Sequence, residues 1–353
     1  MEIIDLLQMA NDAKSSDIIL VAGIPPGFRV DGSIIMTDLQ ALTPNDIERL
    51  VFPLLSEKDI AKYNEESELD AAYTLSGVAR FRINVHKQRG STAAAIRRIP
   101  LDIPSIDELH LPKSVVLELC RLRGGLVLVT GQSGSGKTTT QASMIDVINS
   151  ERPCHIITIE DPIEFVHSHR KAIVEQREVG IDSVSFGTAL RNAMRQTPDV
   201  ILVGEMRDLE TITTAITASE TGQLVFATLH TIDAVETVNR IIDVFPWRQQ
   251  QQVRVQLAST LRGVVSQRLL PRAHGKGLIV ACEVMLGTTA VKNLIREGSA
   301  HQLQSVVETN AKYGMQSMDQ ALISLYKKNM IDKDELLFNI KDKERDEVRA
   351  IIL

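Results

Sequence analysis

A glycine-rich loop at residues 131–138 has the residue types and the spacing that bind nucleotide phosphates. It follows an apolar run, precedes a helical pattern and fits G-x-x-x-x-G-K-[ST] as Gly131-Gln132-Ser133-Gly134-Ser135-Gly136-Lys137-Thr138. Small residues let successive backbone N–H groups point at phosphate oxygens, and the helix N-terminus adds positive potential. Lys137 can reach the β- and γ-phosphates, and Thr138 can offer its hydroxyl to Mg²⁺. We predict a site for ATP and Mg²⁺ formed by Ser133, Gly134, Ser135, Gly136, Lys137, Thr138 and Thr139.

Acidic residues and a histidine follow three apolar runs downstream of this loop. The runs end in Glu160 and Asp161, in Glu205, and in His230. Because ligands of open α/β sheets bind at the carboxyl ends of the strands, these side chains are expected near the phosphates. There Glu205 can polarise the water that attacks the γ-phosphate, and His230 can donate a hydrogen bond to it. Glu164 lies three residues after Asp161. Any one of these acids could instead have no catalytic role and serve only as the cap of a turn or a helix.

Hydrophobic patterns divide the chain into two parts with different architectures. Residues 1–98 begin with a short amphipathic helix and then show period-two alternation, typical of antiparallel strands, interrupted by one helix opened by Thr43-Pro44. Residues 99–113 contain three prolines and little periodicity, which indicates a linker. Residues 114–353 alternate wholly apolar strands with helices and end in a helical part, as expected of a mostly parallel sheet covered on both faces.

Arginines alternate with apolar residues on one predicted strand of the N-terminal part. Because three apolar residues at positions 81, 83 and 85 must face the core, Arg80 and Arg82 must point to the opposite face. Arg97 follows the next strand, so it extends the same basic region. This open face could complete a phosphate site on another subunit, or it could be an ordinary solvated surface.

Composition limits the classes of protein and of partner. The 353 residues carry a net charge of −6, which does not favour binding to nucleic acid or to an anionic membrane. The three cysteines are far apart, so neither a zinc site nor a disulfide framework is indicated, and a reducing cytoplasm fits. No apolar run approaches the roughly 20 residues of a membrane span, so we expect membrane association only through a partner.

Several long motifs in a fixed order resemble the hexameric secretion-superfamily ATPases, most closely the PilT type that powers retraction of type IV pili. Besides the loop at 131–138, the motifs are the Asp box at 158–167, from Thr-Ile-Glu-Asp-Pro to Phe-Val-His, and the Walker B stretch at 198–208, from Pro-Asp-Val to Met-Arg-Asp. The Ala-Arg-Phe-Arg strand at 79–82, the His box at 224–231 and Asn-Leu-Ile-Arg-Glu at 293–297 complete the resemblance.

This resemblance implies a PAS-like α+β domain at 1–98, a linker at 99–113, and a RecA-like P-loop domain with a helical C-terminal part at 114–353. It also implies a homohexamer in the cytoplasm, held at the inner face of the inner membrane by a pilus platform protein of that membrane. Nucleic acid is not implied as a partner. The residues implied in catalysis are Glu205 as the Walker B acid, Glu164 of the Asp box, His230 of the His box, and Arg80, Arg82 and Arg97, which close over nucleotide.

Departures from the family motifs leave other secretion motors open. Gln223 stands where the His box usually has its first histidine, and Lys292 stands where the retraction motif has arginine. An accessory retraction paralogue or a pilus-extension or type II secretion ATPase are alternatives, although the longer N-terminal region and the tetracysteine element usual in the extension class are absent. A DNA translocase is disfavoured by the acidic charge. A nucleotide-bound scaffold that does not hydrolyse would leave Glu205 unexplained.

Overall fold

Two β-sheets, one in each half of the chain, organise the fold. The computed structural model describes residues 2–30, 32–100, 102–274, 277–342 and 348. The chain divides into two units, Met1–Asp102 and Ile103–Leu353. The division falls inside the segment predicted as a linker, although that segment's first two residues still belong to a strand and its last residue begins a helix.

The first unit contains an antiparallel six-stranded sheet with strand order β3-β2-β1-β6-β5-β4. Its strands are β1 (Asp17–Leu20), β2 (Gly27–Val30), β3 (Ser33–Met36), β4 (Glu68–Leu75), β5 (Ala79–Gln88) and β6 (Ser91–Pro100). Its helices are α1 (Ile3–Asp12), α2 (Pro44–Val51) and α3 (Glu57–Glu66). The apolar residues of β5 are fully buried and its arginines are half-buried, so the predicted alternation is confirmed.

Helix α3 was not predicted, because it lacks a wide apolar stripe. Only Tyr63 of its ten residues is buried. The helix is instead marked at its start, where the Ser56 hydroxyl accepts a hydrogen bond from the Asp59 N–H and the Asp59 carboxylate bonds back to Ser56. Such a capping box is a local signal of a helix N-terminus even where the hydrophobic period is weak.

The second unit contains a seven-stranded sheet with strand order β13-β12-β7-β11-β10-β8-β9, in which every neighbouring pair except β12 and β13 is parallel. Its strands are β7 (Gly125–Thr130), β8 (His155–Glu160), β9 (Ile173–Glu178), β10 (Val200–Val203), β11 (Leu224–Leu229), β12 (Leu261–Pro271) and β13 (Leu278–Leu286). Every residue of β7, β10 and β11 is buried, as expected of strands covered on both faces. The predicted α/β fold class is therefore confirmed.

Helices cover this sheet and make up most of the described chain after β13. They are α4 (Lys113–Cys120), α5 (Lys137–Glu151), α6 (Phe186–Ala193), α7 (Leu209–Glu220), α8 (Ala234–Asp243), α9 (Trp247–Thr260), α10 (Thr289–Glu297), α11 (Leu303–Thr309), α12 (Met318–Lys327) and α13 (Lys333–Asn339). The end of the predicted C-terminal helical part lies outside the described residues, as does Asp31, where the pair Asp31-Gly32 predicts a turn. In the part of the chain that is described, no helix is both long and apolar enough to cross a membrane.

Strand β9 and helix α6 were also missed from the sequence. The edge strand β9 contains polar residues at four consecutive positions, 175–178, and only two of its six residues are buried. An edge strand has one neighbour and needs no continuous apolar run, so its sequence resembles that of a loop. The omission matters because β9 contacts the predicted site.

Candidate nucleotide-binding site

The loop at 131–138 joins the buried strand β7 to α5 in a conformation that needs its glycines. Gly131, Gly134 and Gly136 have φ angles of 144°, 77° and 87°, in the region that side chains disfavour. A Cβ atom on Gly131 would also collide with the Gln267 carbonyl oxygen and the Ser135 hydroxyl. That hydroxyl is buried and has no hydrogen-bond partner among the described residues. The loop thus has the backbone curvature and the unused donor that a phosphate site requires.

Lys137 lies at the first position of α5, with its amino group turned back over the loop. Its Nζ donates hydrogen bonds to the carbonyl oxygens of Gly131, at 2.8 Å, and Gln132, at 2.9 Å. Burial lowers the pKa of Lys137, and the nearby carboxylates of Glu205 and Glu164 act in the opposite direction without cancelling this effect. The ammonium group therefore lies in the field of both acids predicted to act at the γ-phosphate.

The structure brings most of the predicted site residues of this unit into one cleft of about 340 Å³. The cleft lies at the carboxyl ends of β7, β8, β10 and β11, where the parallel sheet predicts a ligand. Of the predicted residues, those that line it are Ser133, Gly134, Lys137, Thr138, Glu164, Glu205 and His230. Ser135 lines a smaller neighbouring cavity beside β12, and Thr139 lies on the first turn of α5.

Glu205 is held between two basic side chains. Its carboxylate accepts a hydrogen bond from Arg207 Nη2 at 2.7 Å and lies 2.9 Å from His230 Nε2. Burial acts to raise the pKa of Glu205, but the Arg207 hydrogen bond and the charges of His230, Arg207 and Lys137 outweigh it, so the pKa lies below its usual value. An ionised carboxylate beside Lys137 can orient a water molecule and accept its proton.

A second carboxylate, Glu160, is buried at the end of β8. Its Oε1 accepts hydrogen bonds from the Thr158 hydroxyl at 2.6 Å and from Gln176 Nε2 at 3.0 Å. Burial raises the pKa of Glu160 in spite of these bonds. Glu164, four residues further on, is exposed and lines the cleft. The two acids of this turn therefore have different environments.

Sequence reasoning missed three side chains that belong to this site. Arg207 contacts Glu205 directly, and its position two residues downstream in the same motif was the available signal. Gln176 lies on the unpredicted strand β9. His167 is buried in the Asp-box loop, where burial and the charge of Arg170 lower its pKa to about 4.

Gln223 does not lie in the cleft of its own chain. It precedes β11, whereas His230 follows that strand, so the strand's length separates them by about 20 Å. Its amide oxygen accepts a hydrogen bond from the Thr221 hydroxyl at 2.7 Å. Gln223 therefore lies at the opposite end of β11 from the cleft.

The three predicted arginines lie on the first unit, where each has a partner in its own sheet. Arg80 donates to the Thr74 hydroxyl at 3.2 Å, and Arg97 Nε bonds to Asp17 at 3.0 Å. Arg82 is paired more loosely with Asp70, at 3.8 Å. Arg82 and Arg97 are directly opposite each other on β5 and β6, so their side chains share one face of the sheet.

The loop after His230 is anchored by the C-terminal end of the described chain. Asp233 caps α8 and accepts a hydrogen bond from Lys341 Nζ at 2.7 Å. The buried Glu283 accepts from the backbone N–H groups that begin α8 and α12. Burial raises the pKa of Glu283, and Asp319 adds a further buried carboxylate that binds the Lys341 backbone N–H. Lys341 thus interacts with three carboxylates, those of Asp233, Glu283 and Asp319.

The side chains of the cleft can be compared with the ligands that a metal ion needs. Among the described residues, no group of three or more His, Cys, Asp or Glu side chains could hold a metal ion by itself. The Thr138 hydroxyl nevertheless lines the cleft together with carboxylates. Mg²⁺ in nucleotide sites keeps several waters and binds phosphate oxygens with few protein ligands, so this oxygen donor set fits it.

Comparison with known proteins agrees with this geometry. The type II/IV secretion system protein family matches residues 78–346. The type IV pilus retraction ATPase PilT of Pseudomonas aeruginosa is 43% identical over 95% of this chain and 96% of its own length. The type IV pilus ATPase PilU of the same organism is 38% identical over 96% of this chain and 88% of its own length.

A solved structure extends the similarity to three dimensions. The crystal structure of the pilus retraction motor PilT with bound ADP is 48% identical to this chain and covers 97% of it and 98% of the solved chain, with a TM-score of 0.89. The similarity therefore extends over both units. The chain belongs to the type II/IV secretion system protein family and is of the PilT type within it.

Proposed function

We propose that this chain hydrolyses ATP and couples hydrolysis to the retraction of type IV pili. The observation that carries the proposal is the position of Glu205, ionised and fixed between Arg207 and His230 at the cleft that also contains Lys137. A protein that only bound nucleotide would have no use for an oriented, ionised carboxylate at this place. The similarity to PilT supports pilus retraction as the work performed.

Each residue has a distinct task in the proposed reaction. The loop N–H groups and Lys137 bind the β- and γ-phosphates, and Lys137 exchanges its bonds to loop carbonyls for phosphate oxygens. Glu205 orients the attacking water and accepts its proton, while His230 holds the Glu205 carboxylate and senses the γ-phosphate. Glu164 adds negative charge to the cleft and helps to orient Lys137.

Mg²⁺ is proposed to bind with the nucleotide, with Thr138 as its protein ligand. When bound, the ion neutralises developing charge on the phosphates. The Thr138 hydroxyl is at the second position of α5, directly after the phosphate-binding lysine, where the motif places a metal ligand.

A ring of six identical subunits is proposed as the working assembly. Continuous force on a filament requires several sites that hydrolyse ATP in sequence. A closed ring of subunits joined by heterologous contacts provides such sites. In such a ring the open face that carries Arg80, Arg82 and Arg97 completes the phosphate site of an adjoining subunit. In each subunit, residues 1–98 are proposed as the PAS-like domain, residues 99–113 as the linker and residues 114–353 as the RecA-like domain.

The proposed place of action is the cytoplasmic face of the inner membrane, through a pilus platform protein of that membrane. The negative net charge continues to argue against nucleic acid as a partner. An accessory retraction role is the second candidate, because the 38% identity to PilU also extends over nearly the whole chain.

Phosphate release by the purified chain tests the hydrolysis, and subunit mixing tests the ring. Glu205→Gln subunits are added to wild-type protein at rising fractions while ATP turnover is followed. Coupled sites predict that turnover falls faster than the mutant fraction rises. A strictly proportional fall, or a fully active monomer, would contradict the coupled ring. The absence of any ATP turnover by wild-type protein would contradict the proposed reaction itself.

A further inference from the structure

An amide on the edge strand β9 holds the loop that carries Glu164. Gln176 Nε2 donates hydrogen bonds to the Phe165 carbonyl oxygen at 2.8 Å and to Glu160 Oε1 at 3.0 Å. Its Oε1 accepts a hydrogen bond from the His167 N–H at 2.8 Å. Both ends of one side-chain amide are therefore used, and two of the three bonds go to backbone groups on either side of Val166.

A second side chain of β9 extends this support along the same loop. Glu178, two residues after Gln176 and therefore on the same face of the strand, accepts a hydrogen bond from the Ile163 N–H at 3.3 Å. The loop backbone is thus held at residues 163, 165 and 167. Glu164 lies between the first two of these points, and its side chain lines the cleft.

The fixed loop directs the charge of Glu164 at the phosphate site. Glu164 is one of two acids whose charge acts on Lys137. Its backbone N–H also bonds to Glu160, the same carboxylate that Gln176 contacts. Glu164 itself is exposed, so the position of its carboxylate depends on how the loop backbone is held.

We propose that Gln176 is a positioning residue for ATP hydrolysis, which holds the Asp-box loop so that the Glu164 carboxylate faces Lys137. The proposal rests on the proposed function, since it requires Glu164 to act on bound nucleotide. Gln176 does not line the cleft and acts only through the loop.

The chemistry of the site explains why an amide is needed. Gln176 faces two acceptors, the Phe165 carbonyl and Glu160, and one donor, the His167 N–H. In Gln176→Glu, an ionised carboxylate would face Glu160 and the carbonyl with no hydrogen to donate, whereas the protonated acid could donate to one of them. The variant carboxyl is expected to have a raised pKa, because Glu160, Glu164 and Glu178 are near and burial disfavours charge. His167 is uncharged at neutral pH, because its pKa is about 4.

The sign of the pH dependence follows from this raised pKa. The donating, protonated form of the Gln176→Glu side chain is present below its pKa and is lost as the pH rises through it. We expect kcat of Gln176→Glu to be about tenfold below that of the wild type at pH 8, the order expected when buried acceptors lose their donor. The ratio should rise as the pH falls towards 6 without reaching one, because a protonated carboxyl donates to only one of the two acceptors. Nucleotide affinity should change by less than about threefold, because the variant leaves the phosphate-binding loop intact.

Glu175→Gln is the matched control, because it makes the reverse exchange one residue away on the opposite face of β9. Glu175 is exposed and, among the residues that the structure describes, pairs with His155 alone, at 3.4 Å, an arrangement that contributes little. The kcat of Glu175→Gln should stay within about twofold of the wild-type value at every pH. A Gln176→Glu to wild-type ratio that does not vary with pH would overturn the proposal.

A double-mutant cycle tests whether Gln176 acts through Glu164. Gln176→Ala should lower kcat about tenfold in the wild-type background and less than about twofold when Glu164 is already replaced by glutamine. Fully additive losses would also overturn the proposal, and this cycle decides the matter if Gln176→Glu does not fold. If the wild-type chain itself does not hydrolyse ATP, the proposed function fails instead, so the two failures are distinguishable.

Discussion

Replacing Glu205 by glutamine separates binding from catalysis, because the substitution removes charge and basicity but keeps size. The carboxylate now faces Arg207 at 2.7 Å and His230 at 2.9 Å. Glutamine has one oxygen, so it can keep one of these contacts, and its NH₂ group must face the other partner. The Arg207 side chain is 72% exposed and can turn to water at little cost. We therefore expect ATP affinity to change by less than about threefold.

Turnover should fall far more than affinity. Loss of a positioned general base lowers a rate by about 100-fold to 10,000-fold, and the lower bound corresponds to about 2.7 kcal/mol of transition-state stabilisation. A fluorescent-nucleotide titration measures affinity, and phosphate release at saturating ATP measures kcat. Glu210→Gln is the control, because Glu210 forms a comparable 2.8 Å pair with Arg191 but does not line the cleft. Equal losses of affinity and kcat in Glu205→Gln would refute a catalytic role and show that the residue is structural.

Further variants test the phosphate site, the His box and the C-terminal anchor. Lys137→Ala should abolish measurable binding or turnover of ATP, since it removes the motif's mobile cation; wild-type turnover would contradict the assignment. His230→Ala should lower kcat about tenfold or more. Gln223→His, at the other end of β11, should change kcat less than about twofold. A larger effect of Gln223→His than of His230→Ala would show that Gln223 acts at the site. Lys341→Met should lower stability by about 0.5–1 kcal/mol, because the Lys341 side chain is 55% exposed and water screens its attraction to the three carboxylates. A thermal melt should show a lower midpoint than for Lys328→Met at an exposed position, and equal midpoints would contradict the anchor.

The parts of the site that could be predicted are those determined by sheet geometry. Parallel strands bring their carboxyl ends to one edge, so the apolar runs before Glu160, Glu205 and His230 were enough to place these residues beside the loop at 131–138. The same wholly apolar runs indicated the fold class of the second unit. The alternation on β5 likewise placed Arg80 and Arg82 on the face away from the core.

The parts that could not be predicted depend on contacts that local sequence does not encode. Gln176 belongs to a polar edge strand with no hydrophobic period, and its partners lie 9 to 16 residues away along the chain. Glu160 is buried and Glu164 is exposed, and this difference depends on which of the two is covered by neighbouring strands. Motif spacing also grouped Gln223 with His230, although the two residues lie at opposite ends of strand β11.

Pilus dynamics provide the most direct test of the account. Fluorescently labelled pili would be imaged in a strain that lacks this chain and is complemented with wild-type protein, Glu205→Gln or Glu210→Gln at matched expression. The account predicts that retraction is lost in the deletion strain and restored by wild type and Glu210→Gln but not by Glu205→Gln, while pili still extend in every strain. Retraction that persists at the normal rate without the chain, or that Glu205→Gln restores, would contradict an ATP-driven retraction motor.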